Sequence, residues 1–417
     1  MKTLKKRIIP FPGTRFKLGG RRAATRVIVG ACIFLIPFLH PQELRHVTGV
    51  INVEVPVRVF DRERFVDDLT LKDFEVLENG KPQKIAALYL IRKANIQKEE
   101  TSGPAAARPV PKTGRTIVMQ FEVLDPMPKL DDAVDFFFDQ VLQPEDSLIV
   151  ITPRTTYRFK PEALARLPRQ EIARQLKEKL RKDILAGAME HKRLLGDFRD
   201  VLKFPVDPDQ KLHMLQDVIR QLRDRIGIDE ATLRRTAQSL KVLEGQKYVF
   251  LFYEKELINS VSFGSFEGES LPAEESQLDD MAAAEMRRDL TIDPKTIERI
   301  FSDASITVHF IYLTQSKMNA AGLDAEHQRG EDALRAKDLS ASIYETFNEM
   351  ARATGGVSEA SGNPFAAFRK AVSATENYYL LYYVPENYQA DGKFKEIKVT
   401  VRGRRFRVTN RAGYFAN

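Results

Sequence analysis

A series of short apolar segments alternating with helical stretches constrains the fold of this chain more than any other feature. Thr116–Phe121 (TIVMQF), Ser147–Thr152 (SLIVIT), Tyr248–Tyr253 (YVFLFY), Ile306–Leu313 (ITVHFIYL) and Tyr378–Val384 (YYLLYYV) are apolar along nearly their whole length. Strands buried on both faces read this way, whereas half-exposed strands alternate. Lys129–Leu142 (KLDDAVDFFFDQVL) reads as a helix between the first two, and helical stretches separate most of the others. Strand alternating with helix predicts a parallel sheet covered on both faces. Between the second and third strands, roughly Pro161–Gly245, a long helical insert is expected. Ile172, Leu176, Leu180 and Ile184 recur every four residues, and Leu215, Ile219, Leu222 and Ile226 form a second stripe; both are expected to face a core. Residues 257–291 are acidic, then rich in Met and Ala, and read as an excursion from the sheet.

The two ends of the folded region have a different rhythm. Asn52–Phe60 (NVEVPVRVF) alternates, with Val53, Val55, Val57 and Val59 on one face. In the segment that follows, Asn79-Gly80 sits between apolar runs, a hairpin signal. Phe394–Val401 and Arg405–Asn410 alternate again, with Ile397, Val399 and Val401 on one face. A sheet of a few strands is marginal in water without a second layer. Residues 46–93 and 394–417 are therefore expected to form one composite β-sandwich. Residues 94–114, rich in Pro, Ala and charge, are expected to link it to a domain over 115–393.

Basic residues concentrate at the start. Residues 1–45 hold ten Lys/Arg and one acid, so the remaining 55 Lys/Arg and 57 Asp/Glu carry a net charge of −2. The overall +7 is thus no argument for nucleic-acid binding, and none is expected. The basic stretch leads into Val27–Leu39, a 13-residue apolar run. That length suits a signal peptide better than a membrane span, which needs about 20 residues. No A-x-A cleavage site follows, so an uncleaved anchor stays open. Residues 1–45 are read as a signal or anchor segment, the sole expected contact with the membrane, with the rest exported. Cys32, the single cysteine, lies in this segment, so the remainder has no thiol chemistry and no disulfide.

Catalytic patterns are scarce. The histidines show no HExxH spacing, and there is no GxSxG, no GxxxxGKS and no GxGxxG after a strand. His309 lies mid-strand and is expected to be packed or hydrogen-bonded. In an open parallel sheet ligands gather at the carboxyl ends of the strands. There the sequence places Glu122 and Asp125 after the first strand and Glu254 after the third.

Val55–Ile85 (VPVRVFDRERFVDDLTLKDFEVLENGKPQKI) is similar to the opening module of the VWFA-related family abundant in Acidobacteria. Arg115–Asp125 (RTIVMQFEVLD) resembles the first strand of a von Willebrand factor type A domain. Glu349–Ala416 resembles the family's closing stretch, with its TGG turn, its YYxLxYxP strand and its terminal RxGYFA. The resemblance spans roughly residues 47–417 and is least specific over 161–245. It implies an α/β fold: a von Willebrand A-like, Rossmann-like, mostly parallel sheet flanked by helices, with the small β-sandwich module and the helical insert added. It also implies a metal-ion-dependent adhesion site, DxSxS after the first strand, completed by a Thr and an Asp from other loops. Aligned with it here is Glu122-Val123-Leu124-Asp125-Pro126. Glu122 stands at the Asp position, Leu124 and Pro126 at the two serines, and Glu254 at the later Asp. Leu and Pro carry no ligating oxygen on the side chain, so the site is degenerate, and neither Mg²⁺ nor any other cofactor is expected.

The expected function is an exported or anchored module of the cell envelope that binds a protein partner and is not an enzyme. The alternatives are a hydrolase using Glu122, Asp125 or Glu254 as acid and base, and a purely structural envelope component.

Overall fold

The computed structural model describes residues 51–62, 64–102, 110–124, 126–226, 230–254, 293–314, 344–403 and 405–417. The leader, with Cys32, and the acidic excursion over 257–291 lie outside the described residues. Among the described residues no helix is long and apolar enough to cross a membrane.

The amino-terminal part is built of strands. These are β1 (Val53–Asp61), β2 (Arg64–Phe65), β3 (Phe74–Glu78), β4 (Lys81–Gln83), β5 (Ile85–Arg92) and β6 (Asn95–Thr101). Asn79 and Gly80 both take positive φ, 50° and 77°, and join β3 to β4 as a two-residue hairpin. A turn with two left-handed residues matches the twist of the strands it connects, which is why Asn-Gly is favoured there.

Next come β7 (Arg115–Glu122), α1 (Pro128–Phe136, extended by a π turn to Val141), β8 (Ser147–Ile151) and β9 (Thr156–Phe159). The stretch before the following strand is helical: α2 (Pro161–Leu164), α3 (Arg169–Lys203), α4 (Pro208–Ile226) and α5 (Glu230–Lys241). Then follow β10 (Gln246–Glu254), α6 (Pro294–Asp303), β11 (Ile306–Leu313), α7 (residues 344–353), β12 (Ser358–Ser361) and α8 (Pro364–Glu376). The chain closes with β13 (Asn377–Tyr383), β14 (Phe394–Val401), β15 (Arg407–Asn410) and β16 (Gly413–Phe415).

These strands form three sheets among the described residues. The first has the order β15-β1-β13-β5-β6, with β2 on β1; the second β12-β11-β10-β7-β8-β9; the third β16-β14-β3-β4. The expected mostly parallel, Rossmann-like von Willebrand A architecture is overturned. Nine of the thirteen strand ladders are antiparallel, and parallel pairing is confined to β7, β8, β10, β11 and β12 of the second sheet, which β9 makes mixed. The molecule is a mixed α/β structure dominated by antiparallel sheets.

The clearest departure is Tyr378–Val384, read as a strand of the parallel sheet. Tyr378 to Tyr383 instead belong to β13, which runs antiparallel between β1 and β5, in the middle of the first sheet. An apolar run reports burial on both faces and is silent on strand direction. Here one face, Tyr379, Leu381 and Tyr383, enters the sandwich core, and the other, Tyr378, Leu380 and Tyr382, packs with Ala87, Tyr89 and Ile91. The expected linker also differs. Residues 95–101 are the edge strand β6, paired with β5. Its exposed, charged sequence guards the sheet edge against further pairing and so reads like a linker.

The first and third sheets share one core. Val53, Val55, Val57 and Val59 meet Phe74, Val76, Ile397, Val399 and Tyr414. Strands from both ends of the chain build it, since β14 pairs with β3 and β15 with β1.

The second sheet has helices on both faces. On one side α1, α8 and the first half of α3 cover Ile117, Met119, Phe121, Phe250 and Phe252. On the other, α4, α5, α6, α7 and the end of α3 cover Val118, Val249, Leu251, Val308 and Phe310. Helix α3, about 52 Å long at 1.5 Å per residue, reaches both layers. Ile172, Leu176, Leu180 and Ile184 serve one core and Leu194 and Phe198 the other.

Gly355 (φ 76°) and Gly356 close α7. The amide of Gly356 donates to the Ala351 carbonyl and that of Gly355 to the Arg352 carbonyl, the paired bonds of a Schellman cap. A β-carbon on Gly356 would collide with the carbonyl oxygen of Val308, so the cap also seats α7 against β11.

Candidate functional site

Strands β7 and β10 are adjacent and parallel, with Glu122 opposite Tyr253, so Glu122 and Glu254 stand at neighbouring carboxyl ends. The structure thus brings together the two glutamates picked out in the sequence. It also shows what occupies them. Glu254 is fully buried, and its Oε2 accepts the backbone N–H of Leu124 at 2.6 Å. Glu122 is 8% exposed, and its Oε1 accepts from Gln120 Nε2 at 3.0 Å. Leu124 packs against the helix-covered core and Pro126 is half-buried, so neither turns a donor oxygen toward the pair. Asp125 lies outside the described residues, as do residues 255–292 and 315–343, which follow β10 and β11.

The arrangement holds a loop in place. A buried carboxylate that accepts a backbone N–H ties the start of the β7–α1 connection to the end of β10. Among the described residues no group of three or more His, Cys, Asp or Glu side chains is placed to hold a metal ion. The cavity bordered by Glu122, Gln120, Thr232, Thr236 and Met350 measures about 30 Å³. That is room for one or two waters and not for an organic substrate.

Magnesium is accordingly expected to leave the thermal midpoint of the full-length chain unchanged relative to chelator. A native-state site at a hundredfold excess over its Kd would add about 2.7 kcal/mol. An upward shift of several degrees that Glu122→Ala abolishes contradicts this.

Sequence reasoning missed a buried polar layer where the first and second sheets meet. Alternation in β1 places Glu54, Arg58 and Phe60 opposite the valines, the face that a half-buried strand ordinarily turns to water. That face meets the second sheet instead. Glu54 accepts from Gln246 Nε2 at the start of β10 and from the Tyr382 hydroxyl. Arg58 is 2% exposed, and its Nη1 donates to the Gly355 carbonyl at 3.2 Å. Its guanidinium carbon lies 6.0 Å from the Tyr248 ring centre and 5.8 Å from that of Tyr378, close enough for a cation–π contribution. The available signal was an arginine inside a strand already rich in valine.

His309, on β11, belongs to the same layer. It is fully buried and stacks on Phe250 with ring centres 4.9 Å apart. Its Nδ1 accepts the N–H of Val357 at 3.2 Å, so the ring is the neutral tautomer with its proton on Nε2. Burial, and then the charge of Arg58, push its pKa down to about 3. Between the ordinary value near 6.5 and pH 3 the unfolded chain therefore binds a proton that the folded chain does not. Stability is expected to fall with decreasing pH across that window, by about 1.4 kcal/mol per pH unit from this residue. Denaturant titrations of wild type and His309→Gln check this. The variant should lose the slope that His309 contributes; parallel pH profiles would refute the assignment.

No protein-family model, curated protein or solved structure matches this chain.

Proposed function

We propose that the chain is an exported or membrane-anchored envelope protein whose folded part works by binding a protein partner, without catalysis and without a metal. The observation that carries this reading is the use of the strand-end carboxylates. Glu254 is buried against the Leu124 amide and Glu122 is hydrogen-bonded to Gln120, beside a cavity too small for substrate. An acid–base pair for hydrolysis needs a proton acceptor within reach of a bound substrate. Export rests on the basic leader and its apolar run, Val27–Leu39.

A reporter enzyme that works only in the cytoplasm, fused to the carboxyl terminus, is expected to be silent; an active reporter contradicts export. Cross-linking of the full-length chain in intact envelopes is expected to trap one protein in fixed ratio. Recovery of the chain alone favours a purely structural component. Ester or peptide hydrolysis that Glu122→Gln abolishes would replace the binding reading by a hydrolase.

A further inference from the structure

A cleft of about 470 Å³ lies beside the Arg58 layer, lined among others by Arg58, Phe60, Phe65, Lys370, Arg407 and Thr409. Its volume falls within the range of small-molecule sites. The β1–β15 ladder places Arg58 opposite Thr409 and Phe60 opposite Arg407. Residues two apart on one strand, and their partners across the ladder, share a face. The four side chains thus form one continuous patch of two cations, a hydroxyl and an aromatic ring.

Arg58 is at the buried end of the cleft and is incompletely satisfied. Nη1 is used by the Gly355 carbonyl, while Nε and Nη2 are buried and meet no acceptor in good hydrogen-bond geometry among the described residues, the Tyr248 hydroxyl being the polar group beside the guanidinium. The Thr409 hydroxyl is likewise buried and unpartnered. Among the described residues no carboxylate forms an ion pair with Arg58 or Arg407, and Glu359, which also lines the cleft, is paired with Lys370 at 2.7 Å. A buried guanidinium with open donors is costly. The Nε–Nη2 edge is the fork that takes two oxygens of one carboxylate or phosphate group side by side.

We propose that this cleft binds a small organic oxyanion, a carboxylate or phosphate ester. Its charged group would meet the Nε–Nη2 edge of Arg58 and the hydroxyl of Thr409, and its apolar body would lie along Phe60 and Phe65. Arg407, exposed at the mouth with its guanidinium carbon 4.4 Å from the Phe60 ring centre, attracts the anion. The site does not depend on the protein-binding reading above.

Calorimetric titration of the full-length chain with phenyl phosphate and with benzoate, at ionic strength held constant by chloride, tests the site. Saturable one-to-one binding of at least one probe is expected. Binding of phenyl phosphate alone identifies a phosphate site, of benzoate alone a carboxylate site, and of both a general oxyanion site. Arg58→Lys keeps the charge and removes the fork, and is expected to weaken binding tenfold or more; Arg407→Gln should weaken it severalfold. Should Arg58→Lys fail to fold, Arg407→Gln and Thr409→Val decide the matter, because both positions are outside the tightly packed core. The proposal is overturned if neither probe saturates, or if the folded variants bind as tightly as wild type.

Discussion

Asp146→Ala is expected to lower the stability of the folded chain by about 3–5 kcal/mol, the usual cost of removing one partner from a buried ion pair. Arg115 opens β7 and Asp146 immediately precedes β8, and they are 4% and 0% exposed. Arg115 Nε donates to Asp146 Oδ1 at 3.0 Å and Nη2 to Oδ2 at 2.6 Å, while Nη2 also reaches the Val141 carbonyl at 2.7 Å. Asp146 additionally accepts the amide of Gln143 at 2.7 Å. Burial works against the charge on Arg115, but the hydrogen bonds and proximity of Asp146 outweigh it and raise the pKa. Removing the aspartate leaves a buried guanidinium with no counter-charge and frees the turn before β8. The double variant Arg115→Met/Asp146→Ala should be more stable than Asp146→Ala alone, because it removes the stranded charge as well. Denaturant midpoints measure both; a loss below about 1 kcal/mol for the single variant would mean that the pair is solvated.

Deleting residues 394–417 is expected to have a comparable or larger effect on the amino-terminal strands. The deletion removes β14 from β3, β15 from β1, and β16 from its contact with α6, where the Phe415 amide donates to Asp303 Oδ1 at 2.8 Å. It also takes Ile397, Val399, Tyr414 and Ala416 out of the sandwich core. At about 1.5–3 kcal/mol for each large apolar side chain, the loss rivals the whole stability of a typical domain, about 5–15 kcal/mol. Amide exchange should then lose protection over residues 53–92 and over β13, which lies between β1 and β5. Strands β7, β10 and β11 should keep theirs, since no strand of the tail pairs with them. Full protection of residues 53–92 after the deletion would show that the tail is dispensable to the sandwich.

Much of the local structure was legible in the residues. The valines of β1, the Asn79-Gly80 hairpin, the four-residue stripes of α3 and α4, and the Gly355-Gly356 helix stop each state a local rule. Such signals depend on nearest neighbours along the chain: side-chain period, positive φ, and the need to satisfy amides at a helix end. Glu122 and Glu254 were legible as strand-end carboxylates, whereas their adjacency rests on the pairing of β7 with β10.

Pairing partners were decided only by the tertiary structure. Tyr378–Tyr383 and Tyr248–Tyr253 are nearly the same apolar word, yet one is a central antiparallel strand of the sandwich sheet and the other a parallel strand under helices. The difference lies in where α8 delivers the chain, directly into the gap between β1 and β5, and composition holds no record of that. The role of each charged group was hidden for the same reason. Nothing in the local sequence marks Arg58 or Arg407 apart from other arginines, and Glu254 read as a candidate acid. Once the sheets pack, Arg58 lies buried beside Gly355, Arg407 stands at the mouth of a cleft, and Glu254 is held against the Leu124 amide. Period and turn chemistry act within a few residues, whereas strand direction and the burial of charge depend on contacts between segments hundreds of residues apart.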